Sequence, residues 1–83
     1  MGKILNNIKP DTICTLTYND SLVFRVTHVN ASGFPFAKHS YYYEYTTGNY
    51  EFQIDDKPVC MAYTTEYKEA NEEQKENIHK NGK

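Results

Sequence analysis

The sequence has no tryptophan, no excess of positive charge and no long apolar run among its 83 residues. A membrane-spanning helix needs about 18 or more consecutive apolar residues, and no stretch of this chain reaches that length. The net charge of −2 gives no general positive field that attracts nucleic acid or an anionic membrane surface. We therefore expect neither a membrane protein nor a strongly basic nucleic-acid binder.

The sequence also lacks the features of a secreted or lipid-anchored protein. Its first residues, MGKILNNIKPD, contain no long apolar region and no small-residue cleavage site of a signal peptide. Gly2 does not complete a myristoylation motif, because Asn6 stands where Ser or Thr is required. A cytoplasmic location is expected, in which Cys14 and Cys60 remain reduced. Both lie in strand-like runs, where a free cysteine behaves as a small apolar core residue.

No residue pattern indicates catalysis or metal binding. The residue types that bind zinc are present, but none stands a few residues from another, as paired structural ligands do; they are Cys14, His28, His39 and Cys60. The same residues carry no local signature of a cysteine nucleophile. The sequence contains no glycine-rich phosphate loop and no common hydrolase or calcium-binding motif. We expect no enzyme activity, no cofactor and no metal.

Asp55 and Asp56 are the remaining candidates for acid–base chemistry. Adjacent residues of a strand point to opposite faces, so these two carboxylates would not share a site. Lys57 and Pro58 follow them directly, and this DDKP segment (55–58) is typical of a turn. The pair is interpreted as part of a turn.

Short alternations of apolar and polar residues, bounded by turn residues, predict β-strands over most of the chain. The predicted strands are TICTLTY (12–18), LVFRVTHV (22–29), SYYYEY (40–45), YEFQI (50–54) and VCMAYT (59–64). In the NASG loop (30–33), Gly33 can supply the positive φ that a tight hairpin needs. Pro35 cannot donate a ladder hydrogen bond, so the segment FPF (34–36) is expected at a sheet edge or a bulge.

After Thr65 the composition changes to that of a helix. Helix formers are abundant and Ile78 is the only β-branched residue, which predicts a helix from about Glu66 to Asn77. Its apolar stripe is thin and consists of Tyr63, Tyr67, Ala70 and Ile78. Residues beyond Asn77 are therefore expected to fray and to be dispensable for stability.

These elements predict a mainly β fold, α+β by count. Five antiparallel strands form a meander that curls into a small barrel or a curved sheet, and a C-terminal helix follows. The layout resembles SH3-like small barrels in strand order alone, because no motif of that group is present. The predicted organisation is an N-terminal lead-in (1–11), a β-meander domain (12–64) and a C-terminal helix with a frayed tail (65–83). So short a chain buries a thin core, which leaves a homo-oligomer open.

The most unusual segment is SYYYEYTTGNYEF (40–52), which holds five of the eight tyrosines. The apolar faces of its two strands should coincide, because a one-residue slip would invert the pattern. This predicts one aromatic wall, continued into the core by Phe52 and Ile54; its members are Tyr41, Tyr43, Tyr45, Tyr50 and Phe52. Tyr42 should face outward. Aromatic pairs stabilise small sheets, but so small a core cannot satisfy five hydroxyl groups, and some must reach solvent or a partner.

The surplus of tyrosine hydroxyls predicts a non-enzymatic binding module. The favoured partner is a protein or a second copy of the chain, since tyrosines are enriched and charged residues depleted at interface centres. The alternative is single-stranded RNA or DNA stacked on the same tyrosines, with nearby basic residues contacting phosphates. The predicted binding residues are Tyr41, Tyr42, Tyr43, Tyr45, Tyr50, Arg25, Lys38 and His39. The abundance of Asn, Lys, Ile and Tyr is typical of AT-rich genes, as in a low-GC bacterium or its phage. For a phage source, a small non-catalytic protein is expected to be an accessory or inhibitor factor.

Overall fold

A computed structural model describes residues 9–63 and 66–81 of the chain. Within them, five strands form one antiparallel sheet in the order β4-β3-β2-β1-β5, and one helix follows. The elements are β1 (Ile13–Leu16), β2 (Asn19–Val29), β3 (Pro35–Glu44), β4 (Asn49–Cys60), β5 (Tyr67–Glu69) and α1 (Glu72–Asn81). The predicted fold class, an antiparallel mainly β domain with a C-terminal helix, is confirmed. The sheet is not closed into a barrel, because β4 and β5 form two separate edges.

The first four strands form the predicted meander, and the fifth does not continue it. β5 pairs with β1, at the opposite edge from β4, and places Tyr67 opposite Leu16. The Ala70 amide donates to the Ile13 carbonyl at 2.9 Å and extends this pairing. Segment 66–70, predicted as the start of the helix, thus adds a strand to the sheet. The prediction was wrong here because pairing with β1 outweighs local helix propensity.

The turn between β2 and β3 agrees with the sequence prediction. Gly33 has a φ of 87° and donates its amide to the Asn30 carbonyl at 2.9 Å. The Asn30 side chain accepts hydrogen bonds from the amides of Ser32 and Phe34, each at 2.9 Å. An asparagine that bonds to the backbone two residues ahead is a common way to hold a tight turn.

Pro35 does not mark a sheet edge. It is the first residue of β3, pairs with Val29 and is buried between β2 and β4. A strand tolerates proline at its first position, where the missing N–H interrupts no ladder. The Pro35 carbonyl accepts a hydrogen bond from the Met61 amide at 2.9 Å. The edge assignment from sequence is therefore corrected.

Segment 55–58 is not a turn but an irregularity inside one long strand. β4 continues through it, with Ile54 opposite His39 and Val59 opposite Ala37. Several residues of β4 therefore stand across from Lys38 alone, which makes a bulge. A bulge containing proline is tolerated because β4 is an edge strand. The predicted fifth strand at 59–64 is also wrong. Its first two residues form the end of β4, and residues 61–63 belong to no strand. Residues 64 and 65 lie outside the described part of the chain.

The helix begins at Glu72 because Asn71 caps it. The Asn71 Oδ1 accepts from the Gln74 amide at 2.8 Å, and the Asn71 amide donates to the Gln74 Oε1 at 2.9 Å. This reciprocal pair is a capping box. The Gln74 side-chain amide also donates to the Asp20 carbonyl at 3.0 Å and ties the helix to the start of β2. The helix runs to Asn81 and buries Ile78, whereas the sequence predicted a helix that ends near Asn77.

Replacing Asn71 by alanine is expected to lower the free energy of unfolding by about 1 kcal/mol, because helix caps contribute about 0.5–2 kcal/mol. Asn71→Ser is the matched control, since serine keeps an oxygen that accepts from the Gln74 amide. Urea unfolding followed by circular dichroism measures both variants. Equal stability of the alanine and serine variants would show that the cap does not stabilise the helix.

Apolar side chains are buried on both faces of the sheet. The face beneath α1 carries the helix-side cluster of Ile13, Val23, Tyr41, Ala70 and Ile78. The opposite face carries a second cluster of Cys14, Leu16, Phe24, Val26, Ala37, Ala62 and Tyr67. Because each strand sends alternate residues to the two faces, all four residues of β1 are buried.

Candidate functional site

The aromatic wall predicted from sequence is present on the helix side of β3 and β4. Tyr41 stands directly opposite Phe52, and Tyr43 opposite Tyr50. The rings of Tyr43 and Tyr50 are 5.2 Å apart and those of Tyr41 and Phe52 are 5.1 Å apart. Tyr45 meets Tyr43 edge-on at 4.9 Å. The register that brings the apolar faces together has therefore formed as the alternation pattern predicted.

Tyr41 is the buried end of this wall and belongs to the core. Its side chain is 3% exposed, and its hydroxyl donates to the Gln74 carbonyl of α1 at 3.4 Å. Burial raises the pKa of the Tyr41 hydroxyl, while a hydrogen bond with the Asn77 side chain opposes that rise. A partner cannot reach this ring without displacing the helix, so Tyr41 supports the neighbouring aromatics from beneath.

The helix packs on β2 and β3, and the same face of β4 is left accessible. Tyr50, Phe52 and Ile54 project from this face and are 45%, 37% and 54% exposed; we call these three residues the β4 strip. The expectation that Phe52 and Ile54 continue into the core is corrected. A helix of 10 residues is too short and too narrow to cover every strand of the sheet, so an edge strand keeps its apolar face exposed.

The turn at residues 45–48 joins β3 to β4 and fixes the end of the aromatic wall that carries Tyr45. The Glu44 carboxylate accepts from the Thr46 hydroxyl at 2.8 Å and from the Thr46 amide at 3.2 Å, and these bonds lower the pKa of Glu44. Gly48 has a φ of 72° and donates its amide to the Glu44 carbonyl. Tyr45 is largely exposed, and its hydroxyl accepts a 2.8 Å hydrogen bond from Ser21.

Two concave regions border the β4 strip. The first, which we call the tyrosine cleft, has a volume of about 350 Å³ and lies between the wall and α1. Its lining includes Tyr43, Tyr45 and Tyr50 together with the acidic residues Asp20 and Glu73. The second, which we call the charged groove, has a volume of about 450 Å³ and includes Ile54 in its wall. The strip therefore runs from one concavity to the other.

The predicted basic residues meet in the charged groove. Arg25, Lys38 and His39 line it, but so do three carboxylates, those of Asp11, Asp55 and Asp56. One Arg25 guanidinium nitrogen lies 3.3 Å from the His79 Nδ1 of α1. The groove is thus mixed in charge, and the three basic residues do not form a positive patch.

Tyr42 is exposed as predicted but lies on the other face of the sheet. It is 44% exposed and stands opposite Leu22 on β2 and Glu51 on β4. A ligand on the β4 strip would not contact it. The predicted binding residues therefore fall into three groups. Tyr41 is buried, Tyr42 lies on the opposite face, and the others line the two concave regions beside the β4 strip.

The two cysteines differ in burial, since Cys14 is buried and Cys60 is partly exposed. Cys14 and Cys60 are free thiols, and Cys60 lies 3.1 Å from the Ala62 carbonyl. Burial raises the pKa of the Cys14 thiol to about 12, and the Glu69 carboxylate adds to this rise.

Within residues 9–63 and 66–81, no three His, Cys, Asp or Glu side chains are grouped so as to hold a metal ion. In the same residues, no helix has the length and apolar character needed to cross a membrane.

Sequence reasoning missed Phe52 and Ile54 as candidate site residues, although it placed both on the correct face of β4. The available signal was the narrow apolar stripe of the predicted helix, because a helix with so few apolar residues cannot cover the whole face of the sheet. Comparisons with models of protein families, with curated proteins and with solved structures find no match to this chain. The candidate site is therefore defined by its geometry.

Proposed function

We propose that this protein is a non-enzymatic binding module that recognises another protein surface through the β4 strip. The observation that carries this proposal is the exposure of Tyr50, Phe52 and Ile54 side by side on an edge strand. Scattered exposed apolar residues are normal, but a contiguous patch rimmed by polar residues is typical of an interaction site. Rigid aromatic residues at the centre of such a patch are the usual anchors of protein interfaces.

The charges around the strip favour a protein over a nucleic acid. Asp20 and Glu73 border the tyrosine cleft. In the charged groove, three carboxylates balance the three basic residues. Single-stranded nucleic acid requires a groove in which positive charge follows the phosphate backbone. Stacking of bases on Tyr50 and Phe52 remains the alternative that the experiment below distinguishes.

Three buried groups with raised pKa values support a non-enzymatic role. Tyr41, Tyr67 and Cys14 are buried, and burial raises each pKa and so favours the neutral, unreactive form. An activated nucleophile needs the opposite shift or an adjacent base. The free thiols of Cys14 and Cys60 fit a cytoplasmic accessory factor, because thiols stay reduced in that compartment.

Tyr50→Ala is expected to weaken partner capture by about 2 kcal/mol, the usual effect of removing an aromatic anchor from an interface centre. Tyr42→Ala is the matched control, since the two tyrosines are 45% and 44% exposed but lie on opposite faces of neighbouring strands. Capture from the native host's lysate, with wild type and both variants at equal folded concentration, measures the difference. Loss of capture with Tyr42→Ala but not with Tyr50→Ala would place recognition on the opposite face and contradict the proposal.

The same capture experiment is repeated with nuclease treatment and at two salt concentrations. A protein partner should survive nuclease and show a weak dependence on salt. Binding through phosphates falls steeply with salt, because counterions are released from the nucleic acid. Nuclease-sensitive capture with a steep salt dependence would favour the nucleic-acid alternative and reject the protein-binding proposal.

A further inference from the structure

The two edges of the sheet differ in how they are protected against pairing. β5 is a short edge of 3 residues, and short edge strands rarely accept another strand. β4 is an edge of 12 residues, and its two halves are unlike. Residues 55–58 contain the bulge, a lysine and a proline, all of which discourage pairing. Residues 49–54 contain no lysine or proline and pair with β3 in an unbroken register.

The side chains of segment 49–54 are complementary to those of the same segment running in the opposite direction. In an antiparallel pair centred on Phe52, Phe52 faces its own copy, and Tyr50 faces Ile54. On the other face Glu51 stands opposite Gln53, so no like charges meet. Aromatic and β-branched residues directly opposite each other are favourable cross-strand pairs.

Other symmetric registers of this segment are less favourable. Centring the pair on Glu51 places two glutamates opposite each other, and centring it on Gln53 places Glu51 opposite Asp55. Like charges directly opposite are destabilising. A register whose centre lies between two residues places each apolar side chain opposite a polar one. The β4 strips of the two copies would then lie on opposite faces of the joined sheet. Centring on Tyr50 or Ile54 pairs only about three residues before the turn at 45–48 or the bulge at 55–58 is reached. Pairing centred on Phe52 avoids both penalties and keeps five residues paired.

We infer that the partner of this strand is a second copy of the chain, joined to the first by antiparallel pairing of residues 50–54 about Phe52. The inference rests on the proposed function, because it names the occupant of the same surface. The two sheets become continuous, and the two β4 strips form one apolar band across the two-fold axis. The bulge at 55–58 ends the pairing on both sides and limits growth to a closed dimer, as a symmetric contact between identical surfaces requires.

The first test uses charge at Gln53, an exposed position. Gln53→Glu creates two pairs of glutamates that face each other across the two-fold axis. The dimer dissociation constant is expected to rise about 2- to 30-fold, because each like-charged pair destabilises the dimer and the two effects add. Gln53→Lys, facing Glu51, should strengthen the dimer by a similar factor. The double variant E51Q and Q53E exchanges the two side chains and should restore wild-type affinity. Sedimentation velocity from about 1 µM to about 1 mM covers the range of weak dimers.

Ser32→Glu is the control for net charge, because it adds the same charge in the exposed turn between β2 and β3. It should leave dimerisation unchanged. A chain that stays monomeric over the whole range, or a dimer for which Gln53→Glu and Ser32→Glu behave alike, overturns the inference. Neither result rejects the proposed function, because capture of a different protein by the β4 strip, and its loss with Tyr50→Ala, does not require the dimer to form.

A second measurement tests the register directly. In a Cys60→Ser background, Phe52→Cys should form an intermolecular disulfide on mild oxidation, because directly opposite residues lie about 4.5–5.5 Å apart between Cα atoms. Tyr50→Cys is its control, since Tyr50 faces Ile54 of the other copy and not its own copy. Efficient cross-linking at 50 and not at 52 would disprove pairing about Phe52, even where the dimer itself is observed.

Discussion

Phe24→Ala is expected to lower the free energy of unfolding by about 3–5 kcal/mol, the largest effect that we anticipate for a single substitution. Phe24 lies at the centre of the second cluster and has no exposed surface. Removing its ring leaves a cavity among side chains from several strands, which cannot all move inward to fill it. Because small domains have stabilities of about 5–15 kcal/mol, much of the total would be lost.

Phe52→Ala is the matched control for this prediction. Phe52 is partly exposed and contacts Tyr41 and Tyr50, so its removal should cost about 1 kcal/mol, the scale of aromatic pairing. Urea unfolding gives both values. If Phe24→Ala is too unstable to purify, Phe24→Leu, with an expected cost of about 1 kcal/mol, is compared with Phe52→Leu, which should change stability by less than about 0.5 kcal/mol. Equal losses for the alanine variants at 24 and 52 would contradict the assignment of the second cluster as core and the β4 strip as surface.

Ile78→Ala is expected to lower the free energy of unfolding by about 2–5 kcal/mol, as for other large-to-small changes of a buried aliphatic residue. Ile78 is fully buried and packs with Ile13, Val23 and Tyr41. It is the principal apolar contact of a helix that is otherwise polar, so the substitution should also loosen the helix from β2 and β3. Truncation after Asn77 removes the same side chain and should have a comparable effect.

Lys80→Ala is the control within the same turn of the helix. Lys80 is exposed, and its ion pair with Glu76 is 3.9 Å long, so its replacement should change stability by less than about 0.5 kcal/mol. Thermal unfolding of the two variants, followed at a tyrosine-sensitive wavelength, compares them. An Ile78→Ala protein as stable as wild type would show that the helix does not contribute to the core.

Several features of this protein follow from sequence alone, because they depend on neighbouring residues. The alternation of apolar residues predicted β2, the second half of β3 and the face of β4 that carries Tyr50 and Phe52. The register between β3 and β4 followed as well, since a shift of one residue would have placed apolar side chains on the polar face. The turn at Gly33 was equally local, as it requires a residue that accepts a positive φ.

Other features depend on contacts between residues distant in the chain. Residues 67–69 have no strand pattern, and they form β5 because β1 offers a free edge beside which Tyr67 can be buried. The continuation of β4 through Asp55 and Pro58 also depends on its neighbour, since β3 extends far enough to pair with Val59 and Cys60. Turn-forming residues then become a bulge in a strand that is paired on both sides of them.

The candidate site combines both kinds of information. Sequence determined that tyrosines and Phe52 share one face, because side chains alternate along paired strands. Only the tertiary structure decided which members of that face are core and which are surface. The helix crosses β2 and β3, buries Tyr41 and leaves β4 accessible, and its position is set by Ile78, the Asn71 cap and the Gln74 bond to Asp20. Local patterns fix the side of the sheet on which a residue lies, whereas exposure depends on where a distant element packs.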